Sequence, residues 1–147
     1  AAIEAGLPAY AECGGLMYLA RSLSWHGEKR EMAGVIAADV VMHEKPVGRG
    51  YVRLAPTTAH PWLPPGSHPD EIPAHEFHYS SLENLDPATR FAYEVKRGHG
   101  ADGAHDGIVY KNLLASYTHL RSAGNCNWAA RFAGFARQRK LLPTPTP

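Results

Sequence analysis

The feature that most constrains this chain is an apolar segment that stops at a cysteine followed by two glycines. Residues 7–11 are typical of a buried strand, Cys13 follows, and Gly14 and Gly15 precede a second apolar run. Adjacent glycines permit the sharp turn by which a strand enters a helix, and they leave backbone N–H groups uncovered there. The start of a helix favours a thiolate. The pattern therefore predicts a cysteine nucleophile on a strand–turn–helix elbow.

Composition and charge narrow the classes of function. The chain has 147 residues, of which 44% are hydrophobic and 20% charged, as expected for one globular domain with its own core. A formal net charge of +1 gives no electrostatic reason to expect nucleic acid or an anionic membrane as a partner. Two cysteines in different contexts, Cys13 and Cys126, argue against a disulfide framework. We therefore expect a cytoplasmic enzyme that binds neither nucleic acid nor membrane.

The rest of the chain alternates strands with turn-rich connections. Glycine, proline and histidine predict loops at 57–73 and 97–107. Apolar patterns predict a helix at 16–23 and strands at 34–42, 50–54, 74–80, 91–96, 107–110 and 113–118. Together these elements predict an α/β domain whose sheet has an antiparallel or mixed extension.

A second helix is predicted near the end of the chain. Trp128, Phe132 and Phe135 recur at helical spacing and form an aromatic stripe that should pack on the core. Asn125 or Asn127 is expected to cap the start of this helix. Beyond the predicted domain at 1–142, alternating proline and threonine predict a disordered tail at 143–147. Residues 1–6 have the pattern of a helix tail, so we expect the chain to be the C-terminal piece of a longer polypeptide.

A cysteine nucleophile needs a base, and His119 is the best placed of the nine histidines. It follows the predicted strand at 113–118, and open α/β sheets carry their chemistry at the carboxyl ends of strands. A histidine there can reach a thiol at the end of another strand. The same pattern also fits a structural histidine, and both interpretations stay open at this point. Four other histidines in loop-like segments are expected to be solvated: His60, His68, His99 and His105.

A second group of candidates lies at 75–80, where the sequence reads HEFHYS. Its two histidines are three positions apart, and such positions face opposite sides of a strand. Metalloprotease histidines are four apart on a helix, so no metal site is expected. Glu76, His78 and Tyr79 are instead candidates to line a pocket. Cys126 is expected to be a bystander thiol, and the glycine-rich segment 98–103 lacks the lysine of a phosphate loop.

Three blocks together resemble a known family. They read YAECGGLMYL at 10–19, HEFHYS at 75–80 and ASYTHL at 115–120. In this order they resemble the C-terminal glutamine amidotransferase domain of the cobyrinic acid a,c-diamide synthases. The resemblance implies a flavodoxin-like, three-layer α/β fold of class I, with the N-terminal part of the domain missing from this chain. It also implies an N-terminal ATP-binding synthetase domain that lies outside the chain.

The resemblance further implies that the two domains catalyse different steps. The glutaminase domain releases ammonia from glutamine, and the synthetase domain uses ATP and magnesium to convert tetrapyrrole carboxylates, the a and c acetates of cobyrinic acid, into amides. No cofactor is expected on the present chain. Without its missing part the chain is expected to be weakly active or inactive alone. It is also expected to expose a sheet edge through which a homodimer is possible.

In family terms the candidate residues take defined roles. Cys13 forms a glutamyl thioester, His119 is its base and then the acid for the departing ammonia, and the Gly14 N–H is one oxyanion-hole donor. Most members of the class carry a glutamate two residues after the histidine, where this chain has Arg121. The expected machinery is therefore a Cys–His dyad. A backbone carbonyl or Glu76 is expected to orient the histidine.

Three alternatives remain at this stage. The same chemistry can act on sirohaem or another sirohydrochlorin-type macrocycle. The chain can also be a non-catalytic docking domain for a synthetase partner. An unrelated cysteine hydrolase is the third alternative, and the second and third blocks argue against it.

Overall fold

The computed structural model describes residues 1–63, 70–122 and 127–141. Within them the helices are α1 (Gly14–Leu19) and α2 (Trp128–Leu141). The strands are β1 (Ala9–Glu12), β2 (Ala20–Trp25), β3 (Glu28–Glu31), β4 (Ile36–Met42), β5 (Gly48–Pro56), β6 (Ile72–His78), β7 (Ser80–Glu83), β8 (Arg90–Arg97), β9 (His105–Tyr110), β10 (Leu113–Ser116) and β11 (His119–Leu120). The predictions for His68, Asn125, Cys126 and the tail at 143–147 lie outside the described residues.

Seven strands form the main sheet, in the order β1-β10-β9-β8-β5-β6-β11. β1 runs parallel to β10, and the other neighbouring strands are antiparallel. β10 and β11 belong to one short stretch of chain, residues 113–120, although they occupy different positions in the sheet. The sheet therefore curls, and Glu12 at the end of β1 hydrogen-bonds to both residues of β11.

Two apolar clusters on opposite faces of the main sheet create three layers. On one face, α2 and the loop before residue 64 pack on the sheet through Trp62 and Phe135. On the other face, α1 and a second sheet, in the order β3-β2-β4-β7, pack through Leu16 and Ile36. β10 separates the clusters, since Leu114 belongs to the first and the residues on either side belong to the second.

The predicted three-layer α/β architecture with a mixed sheet is confirmed, although the second sheet supplies most of one outer layer. The aromatic stripe of α2 packs on the core as expected. Of the two predicted caps, Asn127 fills the role, because its Oδ1 accepts the Ala130 N–H at 3.3 Å. Neither described helix combines the length and apolar character needed to cross a bilayer.

The predicted helix at 16–23 is wrong beyond Leu19. α1 ends there, and Ala20–Trp25 is strand β2, which pairs with β3 and β4. The connection from β2 to β3 is His26-Gly27, with φ of 49° and 77°, and two-residue turns of this kind favour tight hairpins. All residues of β3 are charged and exposed, so no apolar alternation marks this strand in the sequence.

The predicted loops also differ in part from the structure. β6 begins at Ile72, inside the loop predicted at 57–73, and β9 begins at His105, inside the second predicted loop. His60, expected to be solvated, is buried. Its Nε2 lies 2.9 Å from the Tyr93 hydroxyl, and its Nδ1 accepts the Trp62 N–H at 3.3 Å. These bonds attach the loop to the core.

Gly107 and Gly27 have similar backbone conformations, but neighbouring atoms pack closely around only the first of them. Gly107 has φ +71°, and an added Cβ would lie 2.7 Å from Cδ2 of the buried Tyr93. Gly27 has φ +77°, and a Cβ there would meet nothing within 4 Å. Substitution by alanine at either position incurs about 1–2 kcal/mol of left-handed backbone strain. Gly107→Ala should lose about 1–3 kcal/mol more, because it also overpacks the core.

Urea denaturation of the two alanine variants measures this difference in the free energy of unfolding. Gly27→Ala serves as the matched control for backbone strain. Equal losses in the two variants would contradict the close packing of Gly107 against Tyr93.

Candidate active site

Cys13 lies where β1 passes into α1. Its φ of 47° and ψ of −103° are rarely adopted by a residue with a side chain. The Cys13 N–H donates to the carbonyl of Ser116 at 2.7 Å, and the Cys13 carbonyl accepts the N–H of Met17 at 3.0 Å. These hydrogen bonds hold the strained residue between β10 and the first turn of α1. The predicted strand–turn–helix elbow is present at this position.

The thiol of Cys13 is half-buried beside β6. Its Sγ lies 3.9 Å from the carbonyl oxygen of Phe77. Burial raises the pKa of this thiol, a hydrogen bond from the Gly14 N–H opposes the rise, and the charge of Glu12 adds to it. Burial therefore opposes the thiolate that the elbow is expected to favour. A nucleophilic thiol at this position needs a base to remove its proton.

Gly14 begins α1 directly after the cysteine. Its N–H is directed at the Cys13 thiol, and an added Cβ on Gly14 would meet nothing within 4 Å. An N–H beside the nucleophile, with open space next to it, is the placement that an oxyanion-hole donor requires. The predicted role of Gly14 in an oxyanion hole is compatible with this geometry and stays a prediction.

His119 begins β11 and is paired in register with His75 of β6. The Cys13 thiol approaches the carbonyl oxygen of Phe77 on the same strand. Phe77 lies two positions beyond His75, about 7 Å further along β6, and the two side chains are on the same face. The fold therefore brings the predicted nucleophile and base to the same part of β6. The His119 side chain is 40% exposed, which favours an accessible base over a buried structural histidine.

A carboxylate that the sequence interpretation did not single out contacts His119. Oε2 of Glu12 lies 3.1 Å from Nδ1 of His119. Oε1 of Glu12 accepts the backbone N–H of Leu120 at 2.9 Å and the hydroxyl of Tyr10 at 2.5 Å. The sequence signal for this contact is an acidic residue that ends an apolar strand next to the candidate nucleophile.

Asp106 fixes the chain that leads to His119. It is fully buried on β9, and its carboxylate oxygens accept the N–H groups of Tyr117 at 3.1 Å and Thr118 at 2.9 Å. Burial raises the pKa of Asp106, against the effect of these hydrogen bonds. An acidic residue inside an otherwise apolar strand is the sequence signal that could have identified it.

Glu76, predicted to line a pocket or to orient His119, has both carboxylate oxygens bonded to backbone N–H groups away from His119. It is 2% exposed, and its two oxygens accept the N–H groups of His99 at 2.8 Å and Gly100 at 2.9 Å. These bonds hold the glycine-rich turn against β6. Burial opposes the charged form of Glu76, but the His78 side chain and the N–H groups of Gly100 and His99 together lower the pKa of its carboxyl group.

The other two predicted pocket residues, His78 and Tyr79, differ in how far they are buried. His78 is also buried, with its ring stacked on Tyr117 at a centroid distance of 4.0 Å, and its role in lining a pocket stays a prediction. Tyr79 is 37% exposed. Its ring packs edge-on against Phe77 at 5.4 Å, close to the Cys13 thiol, and it stays a candidate to line the site.

A cavity of about 600 Å³ opens beside His119. Its volume lies in the range of small-molecule sites. Besides His119, its lining includes Tyr51, His75 and Arg121. The sequence singles out His75, in the block at 75–80, and Arg121, as a departure from the family pattern, but not Tyr51. The cavity leaves His119 accessible, and Cys13 is not part of its lining.

Comparison with known proteins agrees with these features. Residues 1–125 match the family model described as CobB/CobQ-like glutamine amidotransferase domain. A protein of Magnetococcus marinus named cobyrinate a,c-diamide synthase is 47% identical over 97% of this chain and 30% of its own length. A protein of the same name from Archaeoglobus fulgidus is 36% identical over 93% of this chain and 29% of its own length. The chain thus spans about 30% of the length of these curated relatives.

Solved structures show the same fold. A putative GMP synthase protein from Thermoplasma acidophilum aligns with a TM-score of 0.61 and 16% identity, over 92% of this chain and 60% of its own. A glutamine amidotransferase from Thermotoga maritima aligns with a TM-score of 0.54 and 14% identity, over 97% of this chain and 54% of its own. The predicted fold of the class I glutamine amidotransferases is thereby confirmed.

The raised pKa of Cys13 predicts how its reactivity depends on pH. In a Cys126→Ser background, the rate of alkylation by iodoacetamide should rise with pH to a midpoint above about 8.5, the usual value for a free thiol. The reason is that burial disfavours the reactive thiolate. Glutathione in the same buffers is the reference. A midpoint below that of glutathione would show instead that the elbow stabilises the thiolate.

Proposed function

The chain belongs to the CobB/CobQ-like glutamine amidotransferase family, and from that premise we propose that it is the glutamine-hydrolysing part of an ATP-dependent amidoligase. The amidoligase converts the a and c acetates of cobyrinic acid to amides with ammonia taken from glutamine. The observation that carries this proposal is the strained Cys13 elbow, together with the exposed His119 that contacts Glu12, the residue directly before Cys13.

The chemistry begins with a proton transfer. His119 takes the proton of the Cys13 thiol, whose pKa is raised by burial, and the sulfur attacks the side-chain amide carbon of glutamine. The Gly14 N–H stabilises the oxyanion that develops on the amide oxygen. His119 then gives its proton to the nitrogen, the C–N bond breaks and ammonia leaves. Water, deprotonated by His119, hydrolyses the thioester to release glutamate.

The amide-forming step is assigned to a synthetase domain outside this chain. The curated relatives are about three times as long as the part they share with it. The described residues contain no group of three or more His, Cys, Asp or Glu arranged to hold a metal ion. The turn at 98–103 is also unsuited to phosphate, because Glu76 accepts the N–H groups of His99 and Gly100. The proposal accordingly places ATP and magnesium on the synthetase domain and no cofactor on this chain.

The proposal includes the partners and boundaries expected from the sequence. Residues 1–142 form part of the glutaminase domain, and its partners are glutamine, the synthetase domain and the tetrapyrrole whose carboxylates receive ammonia. A cytoplasmic location suits an unmodified catalytic thiol. Cobyrinic acid is preferred over a sirohydrochlorin-type macrocycle because of the name shared by the relatives that match nearly the whole chain.

Two substitutions in the full-length protein test the glutaminase. Cys13→Ser and His119→Ala should each lower the rate of glutamine hydrolysis at least about 10³-fold, because nucleophile and base act as a unit. ATP-dependent amidation of cobyrinic acid with free ammonia should continue in both variants. His26→Asn is the control, since His26 lies in the exposed turn between β2 and β3, its ring stacks on Trp25, and asparagine tolerates its φ of 49°.

Glutamine hydrolysis at the wild-type rate in either variant would contradict the proposal and favour a non-catalytic docking domain. The same amidation assay with sirohaem in place of cobyrinic acid tests the macrocycle. Amidation of sirohaem alone would retain the glutaminase and overturn the assignment of cobyrinic acid.

A further inference from the structure

We propose that Glu12, the residue directly before the nucleophile, is the carboxylate that positions His119 for proton transfer. This inference rests on the proposed glutaminase and concerns a residue that the family pattern does not place in this role. The position two residues after the histidine is Arg121, which provides no acceptor for a histidine N–H. The chain supplies the carboxylate from β1 instead.

Three hydrogen bonds hold the Glu12 carboxylate in place. Oε2 accepts from Nδ1 of His119 at 3.1 Å, while Oε1 accepts from the Leu120 N–H at 2.9 Å and from the Tyr10 hydroxyl at 2.5 Å. The ring of Tyr10 is itself packed between α2 and the loop before residue 64, through Trp128 at 4.6 Å and Trp62 at 5.7 Å. The carboxylate is therefore fixed from the core side as well as from β11.

The sheet geometry explains why the residue before the nucleophile can do this. Tyr10 and Glu12 are two positions apart on β1 and point to the same face. The stretch 113–120 pairs with β1 first and then crosses to β6, so its end returns to Glu12. The Glu12 carboxylate thus contacts both residues of β11, namely the side chain of His119 and the backbone N–H of Leu120.

This contact selects a tautomer of His119. A carboxylate accepts only, so Nδ1 must carry the hydrogen when the neutral ring bonds to Glu12. Nε2 then keeps its lone pair and is the nitrogen that can take the proton of a thiol. Once the ring is protonated, the nearby carboxylate also stabilises its positive charge. Glu12 acts through His119 and is a positioning residue.

Glu12→Gln tests the inference in the full-length protein. The amide oxygen can replace Oε1 as acceptor for Leu120 and Tyr10, which turns the amide NH₂ towards Nδ1 of His119. The ring must then accept at Nδ1 and carry its hydrogen on Nε2, the wrong tautomer for a base. We expect kcat for glutamine hydrolysis to fall about 10²-fold or more, with KM within about threefold of the wild type.

Glu4→Gln is the matched control. Glu4 also accepts from a tyrosine and a basic side chain, with Tyr110 at 2.9 Å and Lys111 at 2.8 Å. It is exposed and has no contact with His119 among the described residues. The same change of one oxygen to NH₂ should leave kcat at the wild-type value. Loss of activity in both variants to the same extent would overturn a specific role for Glu12.

A spectroscopic readout separates positioning from a structural role. Nitrogen-15 NMR of the full-length protein at alkaline pH should show His119 as the Nδ1–H tautomer in the wild type and the Nε2–H tautomer in Glu12→Gln. The resonances are assigned by their loss in His119→Asn. The Nε2–H tautomer in the wild type would overturn the inference, whatever the kinetics.

The outcomes distinguish this inference from the proposed function. If His119→Ala hydrolyses glutamine normally, the glutaminase mechanism itself fails. If His119→Ala is inactive and Glu12→Gln keeps the wild-type kcat, only the role of Glu12 is overturned. If Glu12→Gln fails to fold, Glu12→Asp replaces it. This variant keeps the negative charge on a side chain that is shorter by one methylene. An unchanged kcat together with an altered tautomer of His119 would overturn the inference.

Discussion

The site depends on one stretch of chain that pairs with two different strands. The first half of residues 113–120 pairs with β1, and the second half pairs with β6. The first pairing supplies the Ser116 carbonyl that holds the N–H of Cys13, and the second places His119 beside His75. Asp106 fixes the crossing between them by binding two consecutive N–H groups. The proposed nucleophile and base are therefore positioned by the same backbone stretch.

Burial of the Cys13 thiol determines what the rest of the site must supply. Burial raises the pKa of the half-buried Cys13 thiol, so the proposed nucleophile depends on a base to become reactive. The proposed base, His119, is itself 40% exposed, and exposed side chains are poorly fixed unless something holds them. Glu12 meets that need with a carboxylate anchored by Tyr10 and by the backbone of β11. The residue before the nucleophile thus links the strand that carries the thiol to the strand that carries the base.

The sequence predicted the elements that local patterns encode. The cysteine elbow has a glycine signature, and the packing face of α2 has an aromatic period. His119 follows an apolar run at 113–118, although the predicted single strand there ends at Ser116 and His119 begins β11. The sequence did not predict β3, whose residues are all charged, or the end of α1 at Leu19, since the apolar residues that follow suit a helix as well as a strand. The burial of Glu76 and the contact of Glu12 with His119 arise from the curled sheet, which joins residues far apart in the chain.

The central claim, that Cys13 is a nucleophile activated by His119, is tested most directly by covalent trapping. The full-length protein would be treated with a glutamine analogue that carries an electrophile at the side-chain carbon, and the adduct located by peptide mass spectrometry. The account predicts one adduct, on Cys13, that forms at a saturable rate, is prevented by glutamine and is slowed strongly by His119→Ala. An adduct on Cys126, or labelling of Cys13 at the same rate without His119, would contradict it.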